Sequence, residues 1–194
     1  MLMDRTGIQW LSKVVALLLF MMMSVASAGA GDTTAEGVGM AFLLTSPAFK
    51  EGEEIPAKYT CEGQDISPLL DWTAPPQATK SFALIANDPD APGKIWVHWV
   101  IFNIPGATAL LRESFPSNPE LPDGTRQGMT DFGRTGYGGP CPPAGTHRYY
   151  FTLYALDAGL DLPPSATANS LERAMSGHIL GKTQLMGTYR RKRP

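Results

Sequence analysis

SFALIANDPDAPGKIWVHWVIFN, residues 81–103, holds two apolar runs around a polar, proline-rich corner. Ser81–Asn87 and Trp96–Asn103 are apolar at odd and even positions alike. A strand with one wet face alternates, so such runs predict central strands covered on both sides. Between them, Asp88-Pro89-Asp90-Ala91-Pro92 sets two carboxylates on a turn whose prolines fix φ and stiffen the backbone. His98 lies in the second run, and strand alternation puts it on one face with Trp96 and Val100. A buried imidazole needs a hydrogen-bond partner.

Outward from this stretch, the chain continues as short apolar runs separated by Gly, Pro and Asp clusters, the pattern of a β-rich domain. Met40–Thr45 is a first candidate strand, Tyr149–Leu156 (YYFTLYAL) an aromatic-rich one, and Gln184–Tyr189 a last. Pro68, Pro75, Pro76, Pro89 and Pro92 fall between runs, where a missing amide donor is harmless. Arg112–Thr146 is mostly Gly, Pro and polar residues, yet carries Phe132 and Tyr137, which predicts an ordered functional loop. One helix is expected late. Asn169 with Glu172 fits a capping box, Leu171, Ala174, Met175, His178 and Ile179 repeat at helical spacing, and Gly181 would end it. His178 then reads as a packing or helix-end charge residue.

The first 28 residues read as a cleavable secretory signal. Arg5 and Lys13 give a basic front, Val14–Phe20 is apolar throughout, and Ala26-Ser27-Ala28 offers a cleavage site. The apolar run is shorter than the roughly 20 residues a membrane span needs. Ala28-Gly29-Ala30 competes as a cleavage site. The layout is then a signal at 1–28, a flexible mature N-terminus at 29–39, one domain at 40–189 and a basic, solvated tail at 190–194. No integral membrane segment would remain, and the protein would be periplasmic or secreted. Loss of Asp4, Arg5 and Lys13 with the leader takes the 16 basic and 18 acidic residues to 14 and 17. A mildly acidic body argues against a nucleic-acid surface.

An oxidising compartment permits a bond between Cys61 and Cys141, the two cysteines of the chain. Residues 138–149, GGPCPPAGTHRY, form a second polar cluster. Its glycines let backbone amides approach a ligand, and successive amides can cradle an anion. His147, Tyr149 and Phe151 share a strand face. Two strand-end histidines with a Gly-rich loop between them suggest a small-anion pocket. Asp88, Asp90, His98 and His147 also have the composition of a metal site, but no tight spacing such as H-x-x-x-H joins them. Cys141 near His147 is the one candidate nucleophile, and the neighbouring prolines and the disulfide it could form with Cys61 argue against a free thiolate. The reading is a binding protein, with no catalytic residue, metal or cofactor.

DPDAP, WVHWV, DFGRTGYGGP, HRYYFTLYALD, IPAKYTCEGQDISPLLDW, GHIL and LMGTY together resemble the phosphatidylethanolamine-binding protein family, in particular its bacterial Raf-kinase-inhibitor-like branch. The resemblance runs from about Met40 to Tyr189. It implies a mainly β Greek-key fold with a large central antiparallel sheet, a smaller sheet and peripheral helices. It also implies a pocket for phosphate- or phosphoethanolamine-like anions, lined by Asp88, Asp90, Pro92, His98, Pro142, His147 and Tyr149, with a backbone amide from Gly139 or Cys141. The GGPCPP loop is longer than in the animal branch, which leaves the choice of amide open. Family precedent further implies a homodimer and, as the alternative function, an inhibitor acting on a protease or kinase pathway through the pocket rim.

Overall fold

The computed structural model describes residues 41–192. The expected leader, the mature N-terminus at 29–39, Met40 and the last two tail residues lie outside them. The elements run β1 Leu43–Thr45, a 3-10 turn Ala57–Tyr59, β2 Leu70–Thr73, β3 Ser81–Asp88, β4 Trp96–Pro105, β5 Leu110–Leu111, β6 Arg126–Gln127, β7 His147–Leu156, α1 Ala168–Met175 and β8 Ile179–Tyr189. The fold is mostly β, with two antiparallel sheets and one α-helix among the described residues. The large sheet has the order β6-β4-β3-β7-β8, and the small one β1-β2-β5.

The doubly apolar runs are the inner strands β3 and β4. Alternation on β3 splits the core in two. Phe82, Leu84 and Ala86 meet Leu44, Leu70, Trp72 and Leu111 of the small sheet. Ala83 and Ile85 face a second cluster with Leu160, Leu171 and Met175, under α1. Burying each such Leu or Phe contributes about 1.5–3 kcal/mol. Both faces of the central sheet are therefore dry, as two unbroken apolar runs require.

Three local features differ from the sequence reading. Thr167 caps α1, its Oγ1 accepting from the Ser170 amide at 3.3 Å while Ser170 Oγ accepts from the Thr167 amide at 2.8 Å. This box sits two residues ahead of the Asn169–Glu172 pair, which satisfies the same spacing. The helix also stops at Met175, with Gly177 at φ +84° just beyond. His178 is outside it and pairs with Asp157 at 2.8 Å, and Ile179–Gly181 extend β8 by pairing with Leu156 and Ala155. Sheet pairing here overrides helical periodicity.

The tail is docked as far as Lys192. The Lys192 amide donates to Glu62 at 2.8 Å, its ammonium lies 3.4 Å from Glu54, and Arg190 Nε donates to Thr146 at 3.1 Å. A run that reads as solvated thus lies against the loop that carries Cys61.

Candidate functional site

A β-bulge sets His98. Val97 opposes Asn87 and Trp99 opposes Ala86, so His98 is the extra residue between them. The insertion breaks the simple alternation. Val97 and Val100 both pack toward the α1 side, while the His98 ring meets Tyr149 and Phe132 edge-on at 5.2 and 5.3 Å. Val100 is therefore not on the face of His98, as strict alternation had placed it. Trp96 is, with its ring 5.5 Å from that of Phe132.

The loop after Phe132 fixes the imidazole. His98 Nδ1 donates to the Gly138 carbonyl at 2.7 Å, and the Gly138 amide donates back to the His98 carbonyl at 3.0 Å. A carbonyl can only accept, so the proton sits on Nδ1 and neutral Nε2 presents a lone pair. Burial pushes the His98 pKa below 6.5, against the opposing pull of the Gly138 carbonyl and of Asp88, Asp65 and Asp131.

Asp88, at the end of β3, is buried beside it. Its Oδ2 accepts from His147 Nδ1 at 2.7 Å and its Oδ1 from the Asp90 amide at 2.8 Å. His147 begins β7, and antiparallel pairing of β3 with β7 carries it to that carboxylate. The Tyr149 hydroxyl is buried with no partner of good hydrogen-bond geometry. Burial pushes its pKa well above the usual tyrosine range, and the charge of Asp88 adds to the rise. Asp90 points elsewhere. Its carboxylate takes the Arg148 guanidinium at 2.6 and 2.9 Å and the Arg148 amide at 2.9 Å, which lowers its pKa from 3.8 to about 2.

Cys61 and Cys141 are disulfide-bonded, with Cα atoms 5.4 Å apart. The Cys61 amide also donates to the Pro140 carbonyl, and Tyr137 Oη to the Tyr59 carbonyl. The Gly139 amide is spent on Asp65 at 2.6 Å, and a Cβ there would collide with the Tyr59 carbonyl. Of the two candidate loop amides, that of Cys141 makes no hydrogen bond among the described residues.

These groups enclose a cavity of about 460 Å³ lined by Asp88, Pro92, His98, Cys141 and Pro142, with Ala91, Trp96, Phe132 and Pro143. Five of the residues singled out in the sequence thus meet on one wall. His147 and Tyr149 stand behind it, holding Asp88 and flanking His98, while Asp90 and Gly139 are tied to other partners. Ala91, Trp96, Phe132 and Pro143 were not foreseen as lining. Ala91 and Pro143 adjoin named residues, but nothing local in the sequence brings Phe132 to His98. No three His, Cys, Asp or Glu side chains converge on a metal-sized site among the described residues.

A family model described as phosphatidylethanolamine-binding protein matches residues 45–190, which includes every residue of this wall. The chain belongs to the phosphatidylethanolamine-binding protein family. Among curated family relatives, a UPF0098 protein of Methanothermobacter thermautotrophicus is 53% identical over 148 residues, 76% of this chain and 98% of its own. One from Aquifex aeolicus is 51% identical over 156 residues, 79% and 91% of the two chains. A crystal structure of a phosphatidylethanolamine-binding protein homologue from Chlamydia trachomatis superposes with TM-score 0.73 at 40% identity, covering 78% of this chain and 99% of that one. YbcL of Escherichia coli, described as a new member of the mammalian family, gives 0.72 at 33%, with the same coverage.

Proposed function

We propose that this family member is an exported binding protein whose Asp88–His98 cavity holds a small phosphate-bearing anion of headgroup size, without turning it over. The observation that carries the reading is the cavity itself. It is small, walled by Trp96, Phe132 and prolines, and has in its lining both His98, whose Nδ1 is held by Gly138, and Cys141, whose amide makes no hydrogen bond among the described residues. His147 takes a positioning role, aligning Asp88 rather than touching the ligand. A zwitterionic phosphoethanolamine suits the acidic side, since its ammonium would face Asp88 and balance that charge. Titration calorimetry with phosphoethanolamine tests this. Binding should weaken at least tenfold in His98→Ala, and unchanged affinity would overturn the assignment.

Export is part of the same proposal. Support comes from the basic–apolar–small order of residues 1–28 and from a disulfide between two exposed cysteines, which persists best outside a reducing cytosol. N-terminal sequencing of protein from the cell envelope or medium should begin at Gly29.

A second reading, an inhibitor that docks a protein on the pocket rim, is favoured by Ile95 and Phe132. Both are exposed large apolar residues at or beside the cavity mouth. Export would direct it at a protease rather than a cytosolic kinase. Capture of an envelope protease by the wild type, lost in Phe132→Ser, would support that reading.

A further inference from the structure

The hydrogen-bond inventory of the cavity wall restricts which anion fits. Pro92, Pro142 and Pro143 have no N–H, and Ala91 and Phe132 have no polar side chain. Asp88 is an acceptor whose two oxygens already receive His147 and the Asp90 amide. His98 has its single neutral-state proton committed to Gly138, so Nε2 also accepts. Among the lining side chains, only the Trp96 indole is an obligate donor. The side chains of the wall therefore offer acceptors in excess of donors, the reverse of what a fully ionised oxyanion needs.

We propose that the cavity reads the protonation of its ligand: the anion must bring its own O–H, so a phosphomonoester monoanion enters and sulfate is refused at neutral pH. The ligand proton would bridge to His98 Nε2 or to Asp88, with the remaining oxygens on the Cys141 amide and the Trp96 indole. This rests on the anion-pocket reading above, and it adds a selection rule that neither the fold nor the family match contains. Protonating His98 would supply the missing donor instead. The groups that face it are Asp88 from β3, Asp65 and Asp131 from the loops and Tyr149 from β7. The three carboxylates favour that proton, but burial outweighs them.

The test compares methyl phosphate with sulfate by titration calorimetry from pH 5 to 8. A phosphomonoester loses its last proton near pH 6. Methyl phosphate affinity should therefore fall about tenfold per pH unit above that point, the slope of a single required proton. At pH 7, it should still bind at least tenfold more tightly than sulfate, which has no proton to give. His98→Asn keeps a donor toward Gly138 and removes the Nε2 acceptor, and it should shrink the gap between the two anions. Equal affinity for both at pH 7, or methyl phosphate binding that strengthens with pH, would overturn the selection rule while leaving the pocket intact. Failure of both anions to bind at any pH would instead remove the anion-pocket reading on which it rests.

Discussion

His147 Nδ1 donates to Asp88 Oδ2 at 2.7 Å, and both side chains are more than nine-tenths buried. The partners lie 59 residues apart, and the pairing of β3 with β7 brings them together. The other Asp88 oxygen holds the Asp90 amide, so one carboxylate braces both the strand end and the proline corner.

Removing that acceptor should be costly. Asp88→Ala leaves the buried His147 ring and the part-buried Asp90 amide without their acceptor, and the buried orphan alone costs about 1–3 kcal/mol. Asp88→Asn keeps one acceptor but turns an NH2 toward one of the two donors, so it should lose about half as much. Urea unfolding of both variants measures the difference. An Asp88→Asn protein as unstable as Asp88→Ala would show that charge, not hydrogen bonding, is what holds the corner.

The disulfide makes a separate prediction. Its cysteines are 80 residues apart, and a closed loop of that size restricts the unfolded chain by about 4 kcal/mol in the chain-entropy model. The native loop is independently tied through Cys61 to Pro140, Tyr137 to Tyr59 and Gly139 to Asp65. Cys61→Ser/Cys141→Ser should therefore unfold at markedly lower guanidinium concentration while retaining methyl phosphate affinity. Loss of binding in the still-folded variant would make the bond part of the site.

How much of this was legible in the sequence depends on the range of the interaction. β3 and β4 were visible because a doubly buried strand writes itself as an unbroken apolar run, and β7 because aromatic residues crowd it. The second half of β8 was visible and the first was not, since Ile179–Gly181 become strand only by pairing with Leu156 and Ala155. The α1 start was misread because Thr167–Ser170 and Asn169–Glu172 offer the same local chemistry. Five lining residues were found from motifs. The His98 bulge, the approach of Phe132 and the diversion of Asp90 to Arg148 are matters of register between distant segments, which no local pattern encodes.

That diversion can be read by titration. Arg148 holds the Asp90 carboxyl at about 2 rather than 3.8. A carboxylate depressed on folding stabilises the protein fully above its unfolded value, and the contribution is lost as pH falls from about 4 through 2. In Arg148→Met, the Asp90 carbon resonance should titrate back near 3.8, and the acid-side loss of stability between pH 4 and 2 should become shallower. Because the Arg148 side chain is half exposed, added salt should reproduce part of the effect.

His98 acts with the opposite charge type and in a different window. Its folded pKa lies below the unfolded 6.5 because burial disfavours the imidazolium. The unfolded chain therefore binds the extra proton first, and stability rises with pH across this interval. The contribution is fully present above pH 6.5 and drains as pH falls below it, with a limiting slope of about 1.4 kcal/mol per pH unit for one proton. His98→Asn carries no titrating group and should flatten this part of the urea-unfolding profile between pH 6.5 and 5, whatever its absolute stability. If the variant keeps the wild-type slope, another group is responsible for the pH dependence. The neutral imidazole on which the ligand rule depends would then have lost its thermodynamic signature.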